Sequence, residues 1–330
     1  MSFFVVSIEE VKRMLIAETK AGVKLFANDL IERPTEPLIC PGCKEPVIFK
    51  KGRIKLPHFA HKPHTKCFSF SEGETAEHLM NKSFFHQWSG GQLEAYLPQL
   101  KQRPDILVHS LAIEIQCSPL SFERYIERTK NYQKHGYQPW WLLGNKLLPQ
   151  QRWGQLQKAF CSYTPEKGIH LWGIKAQQKE IWLVYAIRNH FRLGFIYRIK
   201  KWCFREESLE ALLLYTDQQP TSLKWNFTEY RYHIQRKLFL DDAKIHELQQ
   251  KIYLLGGNIQ TLPGWCYQLS DFYFFFEDRL LFLRYCFTKA VNFDEWLQLL
   301  KYLEFTWQYP LILQKEILML VYQECQRLAE

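Results

Sequence analysis

Polar and apolar residues alternate most cleanly from Leu111 to Cys117. Read as a strand, Ala112, Glu114 and Gln116 share one face while Ile113, Ile115 and Cys117 share the other. Residues 92–100 and 103–109 read as two earlier strands, with Pro98 and Pro104 weakening their ends and His109-Ser110 making a short link to the third. Before this meander, residues 75–88 repeat at helical spacing, with Leu79, Phe84, Phe85 and Trp88 in an apolar stripe and Glu77 and Lys82 left for polar work. After it, residues 121–135 predict a second helix, opened by Ser121 and closed at Gly136, and Pro139 to Leu143 supplies an apolar strand. The predicted order is α-β-β-β-α-β.

Met14-Leu15-Ile16-Ala17-Glu18 begins a strand, so residues 1–13 read as an upstream extension or the product of an alternative start codon. Residues 45–56 read as a hairpin around Lys51-Gly52. In the C-terminal half, residues 170–174, 181–188 and 191–200 predict a small sheet. Helices follow at 206–215, 228–238, 241–254, 293–303 and 311–328, separated by Pro220, Gly256-Gly257, Pro263-Gly264 and Pro310. No dinucleotide fingerprint, phosphate loop, internal repeat or low-complexity tract is present.

A lone carboxylate in mid-strand, such as Glu114, is costly to bury unless a cation or hydrogen bonds offset its lost hydration. Asp105 lies on the preceding strand, so the two acids stand where one divalent cation could hold both. Hard oxygen ligands around Mg²⁺ or Mn²⁺ suit phosphodiester hydrolysis, because the ion activates water and steadies the leaving oxygen. The Ile115 carbonyl is a further oxygen donor. The competing reading of Glu114 and Gln116 is a half-exposed strand with a solvated polar face. Lys82 and Arg128 are candidates for a positive charge near a scissile phosphate, and each is equally consistent with a surface charge.

Cys40-Pro41-Gly42-Cys43, followed by His58-Phe59-Ala60-His61, His64 and Cys67, has the donor types and tight-turn knuckle of a zinc site. Cys40, Cys43, His61 and Cys67 are the favoured ligands for a structural Zn²⁺, with His58 the main alternative. Four or more candidates leave no need for an open coordination position, which favours a structural ion over a catalytic one. The plainer reading is a scatter of polar residues on a basic loop.

With 330 residues, two or three domains are the default. The net charge of +9 favours a polyanionic partner. Basic residues gather at Lys44, Lys50, Lys51, Arg53, Lys55, Lys62 and Lys66, and again at Arg188, Arg192, Arg198, Lys200, Lys201 and Arg205. Rings of His190, Phe191, Phe195, Tyr197, Trp202 and Phe204 interleave the second group, a mixture that suits single-stranded DNA and equally a partly buried hairpin with charged edges. Cys117, Cys161, Cys203, Cys266, Cys286 and Cys325 stand among apolar neighbours and read as buried thiols. The odd cysteine count and the lack of a basic secretory leader point to a reducing cytoplasm. No uncharged apolar run is long enough to predict a membrane span.

The strand order, with an Asp on one strand and Glu-x-Gln on the next, resembles the PD-(D/E)xK nuclease superfamily, the restriction-endonuclease-like fold. Ser71-Glu72-Gly73-Glu74-Thr75-Ala76-Glu77-His78, Arg103-Pro104-Asp105, Ala112-Ile113-Glu114-Ile115-Gln116-Cys117-Ser118, Glu127-Arg128-Thr129 with Tyr132, and Trp140-Trp141-Leu142-Leu143 are similar to the competence protein CoiA family of naturally transformable bacteria. The similarity runs from Met14 onward and is most specific between Cys40 and Gly144. It implies a cytoplasmic protein of DNA uptake, needed for incoming DNA to be processed or recombined, with single-stranded or branched DNA and recombination proteins as partners. It also implies a catalytic set of Asp105, Glu114, Gln116 and Glu77, the last reaching the metal directly or through water. Gln116 replaces the superfamily's usual lysine; glutamine cannot act as a general base, although its carbonyl can position water and its amide can bind phosphate. Glu-x-Gln variants of the fold are active enzymes.

The expected architecture is therefore α/β (α+β): a restriction-endonuclease-like core, an N-terminal zinc-ribbon-like module, and a mainly α-helical C-terminal domain preceded by a small β-sheet. Its divisions fall at residues 1–37 (extension and hairpin), 38–68 (zinc module), 69–149 (nuclease-like domain) and 150–330 (sheet, then helices). The expected function is Mg²⁺-dependent DNA processing in natural transformation. The alternative is a non-catalytic DNA-binding or recombinase-assisting module that retains the nuclease fold.

Overall fold

The computed structural model describes residues 13–52, 56–62, 65, 67, 75–149, 153–217 and 226–330. His64, the basic residues Arg53, Lys55 and Lys66, and the motif residues Ser71 to Glu74 lie outside the described residues. The chain forms two compact units, one of Met1–Gln150, Trp172–Leu183 and Lys200–Leu214, the other of Gln151–Leu171, Val184–Ile199 and Tyr215–Glu330.

The first unit opens with six short strands, β1 (Arg13–Met14), β2 (Ile16–Thr19), β3 (Lys24–Phe26), β4 (Leu38–Ile39), β5 (Pro46–Lys50) and β6 (His58–His61). They pair antiparallel in the order β1-β6-β5-β4-β2-β3. The N-terminal hairpin and the Cys/His segment thus share one sheet and one core, built on Met14, Ala17, Leu38, Phe49 and Phe59 around Cys40 and Cys67. The second arm of the predicted 45–56 hairpin starts later, at His58, because Lys50 pairs with His58 and Pro57 cannot donate to a ladder.

Next come α1 (Ala76–Ser89), β7 (Gln92–Leu93), β8 (Ile106–Val108), β9 (Leu111–Gln116), α2 (Phe122–Lys134) and β10 (Gln138–Leu143). Local signals set the helix limits. The hydroxyls of Thr75 and Ser121 accept from the amides of His78 and Arg124, and Gly90 ends α1 in the left-handed region at φ 64°. β7 is far shorter than the predicted 92–100, since Glu94 turns to φ 50° and leaves the ladder. β8 and β9 are antiparallel, whereas β9 and β10 are parallel, with Glu114 opposite Trp141.

Beyond β10 the chain continues through α3 (Gln155–Ala159), β11 (Ser162–Thr164), β12 (Gly168–Lys175), β13 (Glu180–His190), β14 (Gly194–Cys203) and α4 (Leu209–Leu213). In the first unit, residues 172–175, 180–183 and 200–203 of the long strands extend the sheet in the order β14-β13-β12-β10-β9-β8-β7. Layering follows from strand parity. Trp140 meets Phe85 of α1 at 5.7 Å between ring centroids, while its neighbour Trp141 points the other way, donating its ring N–H to Thr129 of α2. This unit is therefore a sheet with α1 on one face and α2 on the other. Cys203 corrects one expectation: it is exposed, because Trp202 takes the buried side of β14.

The second unit holds β11, the remaining parts of β12 to β14, and the helices α5 (Phe227–Phe239), α6 (Ala243–Leu254), α7 (Tyr273–Phe276), α8 (Leu280–Phe287), α9 (Phe293–Leu299) and α10 (Gln314–Ala329). The α8 helix, absent from the sequence expectation, is buried on nearly every side and so carries no amphipathic period. Its one charge, Arg284, is buried and donates to the Cys266 and Gln268 carbonyls and to Glu324. Three of the predicted DNA-facing arginines are committed here: Arg188 pairs with Asp271, Arg192 with Glu229 and Arg198 with Asp217. Among the described residues, no helix is long and apolar enough to cross a membrane.

His170 of β12 is buried, with Nδ1 donating to the Gly168 carbonyl, and burial pushes its pKa from 6.5 down to about 4. The unfolded chain therefore binds the proton more readily than the folded one. Stability present at neutral pH is expected to fall as pH drops from 6.5 toward about 4. Urea midpoints measured across that range should show the fall, and His170→Asn, which keeps a donor at the Nδ1 position, should flatten it.

Candidate active site and metal centre

Asp105 and Glu114 stand across from each other one step beyond the Ile106–Ile113 pair of the β8–β9 ladder. They are gripped from opposite layers. Asp105 Oδ2 accepts from the Ile115 amide at 2.8 Å and lies 3.1 Å from His78 Nε2, while its Oδ1 is 3.7 Å from Lys82 Nζ; both partners come from α1. Glu114 Oε1 accepts from the Tyr132 hydroxyl at 2.6 Å and from Arg128 Nη2, both on α2.

Lys82 is fully buried between two acids. Its Nζ donates to Glu94 Oε1 at 2.7 Å, and the backbone amide of Glu94 bonds the Asp105 carbonyl. Glu94 Oε1 also accepts from the Leu15 amide, which ties the N-terminal sheet to this cluster. The second oxygen, Oε2, is buried with no hydrogen-bond partner.

Although burial works against ionisation of Asp105, His78, Lys82 and the Ile115 amide hold its carboxyl well below the usual range. Burial pushes Glu114 up to about 7 despite the pull of Arg128, and the charge of Asp105 adds to the rise. Arg128 keeps its charge: burial opposes it, but Glu114 outweighs that effect. Lys82 and Arg128 thus face three carboxylates, Glu94, Asp105 and Glu114, one of them carrying an orphaned oxygen. Carboxylate oxygens are the donor type a hard divalent cation prefers, with Glu94 and Asp105 held from the α1 layer and Glu114 from the α2 layer.

Gln116 and Glu77 sit differently from this core. Gln116 donates its side-chain amide to the Ser118 carbonyl at 2.8 Å, leaving its own carbonyl oxygen as its remaining acceptor. Glu77 Oε1 accepts from the Asn145 amide at 2.7 Å, just past β10. Any Cβ at Gly144 would crowd that carboxylate and the Cys117 sulfur, so glycine is needed for the approach. Sequence reasoning gave no role to Glu94, His78 or Tyr132. His78 lies one helical turn before Lys82, a signal that was available. Glu94 sat inside an expected strand and offered none.

The second constellation is compact. Cys40, Cys43, His61 and Cys67 form the one group of three or more Cys, His, Asp or Glu side chains, among the described residues, that could hold a metal ion, with ligand atoms all within 4.8 Å of one another. Cys40 Sγ and Cys67 Sγ are 3.9 Å apart, close to the tetrahedron edge of about 3.8 Å that Zn–S bonds of about 2.3 Å require. Cys43 Sγ lies 3.2 Å from His61 Nε2. The knuckle is locally braced, since the Gly42 amide points at Cys40 Sγ and the Lys44 amide closes on the Cys40 carbonyl. Its thiols are crowded and buried: Cys67 raises the Cys40 pKa, and burial raises that of Cys43, effects that a bound dication reverses. His58 stands apart, its Nδ1 bonded to the Leu56 carbonyl; three residues from His61 on a strand, it projects to the opposite face.

Residues 74–220 match the family described as competence protein CoiA, nuclease-like domain, and residues 27–70 match competence protein CoiA, N-terminal domain. Competence protein CoiA of Bacillus subtilis (strain 168) is 35% identical over 118 residues, which cover 33% of this chain and 32% of that protein. No solved structure matches the chain.

Two outcomes follow from this geometry. Elemental analysis of the purified full chain should find one zinc per molecule, and Cys43→Ser should lower both that content and the yield of folded protein, because ligation and folding are coupled in small metal modules. Lys82→Met strands two buried acids and should lower unfolding free energy by about 3–5 kcal/mol in denaturant titration. Adding Glu94→Gln should recover part of that loss.

Proposed function

Because the chain belongs to the competence protein CoiA family, with a nuclease-like domain, we propose that it is a Mg²⁺- or Mn²⁺-dependent deoxyribonuclease acting on incoming DNA during natural transformation. Single-stranded or branched DNA is the proposed substrate, recombination proteins the proposed partners, and the cytoplasm the proposed site of action. The observation that carries the reading is the pair of carboxylates, Asp105 and Glu114, that stand across from each other one step beyond the Ile106–Ile113 pair, near enough for the charge of Asp105 to raise the pKa of Glu114.

In this reading Asp105 and Glu114 would hold the ion, with the Ile115 carbonyl as a further donor, and the ion would supply water activation and a counter-charge for the leaving oxygen. The protein supplies the rest. Arg128 has a buried Nε with no hydrogen-bond partner, a donor suited to a phosphate oxygen. Lys82, aimed at Asp105 by Glu94, adds a fixed positive charge where negative charge builds up. With its amide engaged by Ser118, Gln116 orients water through its carbonyl and is not the base. Glu77 fixes the loop after β10. A zinc-braced N-terminal sheet steadies Glu94 through the Leu15 amide.

One feature favours the second reading, a DNA-binding or recombinase-assisting module without catalysis. Lys82 and Arg128 already face the acids, so the fold does not depend on an ion at this point. The deciding experiment incubates the full chain with labelled single-stranded, duplex and branched DNA, with Mg²⁺, Mn²⁺ or chelator. Metal-dependent cleavage is expected, with Asp105→Ala and Glu114→Ala reduced to background while DNA binding persists. Binding without cleavage under either metal would establish the second reading.

A further inference from the structure

The sheet face that carries Glu114 continues well past α2. Residues paired in a parallel ladder share a face, so Trp141 lies with Glu114, and Leu143 with Gln116 and Gly173. Lys175, two residues beyond Gly173, keeps to that side. Gly173 is itself required there, because any Cβ would run into the Leu148 side chain that packs over it.

Two ammonium groups meet around one ring at the far end of this face. Lys175 Nζ is 3.5 Å from the centroid of Trp182 on β13, and Lys201 Nζ of β14 is 4.3 Å from the same centroid. Trp182 is half-buried and fixed by its ring N–H, which donates to Glu180 at 2.7 Å. Glu180 lies 4.0 Å from Lys201, and the Lys201 side chain is 49% exposed. Burial, and then the charge of Lys201, lower the Lys175 pKa. Like charges held this close, with one acid between them, are relieved by an anion.

We propose that Lys175 and Lys201, positioned by Trp182, form a phosphate clamp that holds the backbone of a single DNA strand on the Glu114 face of the sheet. This rests on the DNA-processing reading and adds to it a contact surface remote from the acidic cluster. The charge favours a polyanion, and the half-exposed ring between the lysines favours a strand whose bases are unstacked. Arg188, Arg192 and Arg198 meet their acids at 2.6 to 3.0 Å, whereas Lys201 meets Glu180 only at 4.0 Å.

The test uses the full chain bearing Asp105→Ala, in chelator, with a fluorescent oligothymidylate read by anisotropy over a range of salt. Lys175→Gln with Lys201→Gln is expected to weaken binding about ten-fold or more and to flatten the log affinity against log salt slope by about 1.4, the value for two single-strand phosphate contacts. Trp182→Ala should weaken binding while Trp182→Phe restores much of it. Glu180→Gln should tighten binding, which loss of folding cannot do. Unchanged affinity and slope in the double lysine variant would overturn the clamp, as would polyglutamate competing as well as DNA at equal charge. Cleavage by the lysine variants of the otherwise native chain is scored separately. A chain that cuts DNA yet binds it without these lysines loses the clamp and keeps the nuclease reading; one that needs the lysines to bind but never cuts keeps the clamp alone.

Discussion

Neutralising buried charge is the constraint on which the first unit depends. Removing Lys82 from water is unfavourable on its own, and Glu94 or Asp105 buried alone would be equally so; together they form a chain of opposite charges through the sheet edge. Glu114 repeats the arrangement on the other face with Arg128 and Tyr132. These pairs join α1 to β7 and β8, and α2 to β9. The helical layers are thus held in place by the same side chains that give the centre its chemistry.

A division of labour follows. The Cys₃His knuckle and its small sheet act at a distance, through one backbone amide at Leu15. Aromatic rings pack the α1 side of the long sheet, with Trp140 set between Phe85 and Trp172, and Trp172 stacked on Trp202. This apolar side of the sheet is closed by α1, whereas the other carries Glu114 near one end and paired lysines near the other.

How much could be read from the chain depended on how local the signal was. Both helices around the centre and the strands β9 and β10 were legible because their periodicity and caps lie within a few residues. The Cys/His donors were legible from side-chain chemistry, while the choice between His58 and His61 needed the strand that sends them to opposite faces. Long-range partners left no trace. Nothing near Arg198 announces Asp217, nothing in the all-apolar α8 shows a helical period, and nothing around Glu94 marks the turn that takes it out of β7. Asp105 and Glu114 were visible as neighbours, but not as acids approached from separate layers.

The left-handed backbone at Glu94 narrows what can stand there. Glycine, asparagine or aspartate would relax the main chain by something on the order of 1 kcal/mol, yet none is long enough to replace a glutamate that meets both Lys82 and the Leu15 amide. Reach and ease of conformation pull in opposite directions at this one position, so substitutions that look mild by either criterion alone still break the junction between the two sheets.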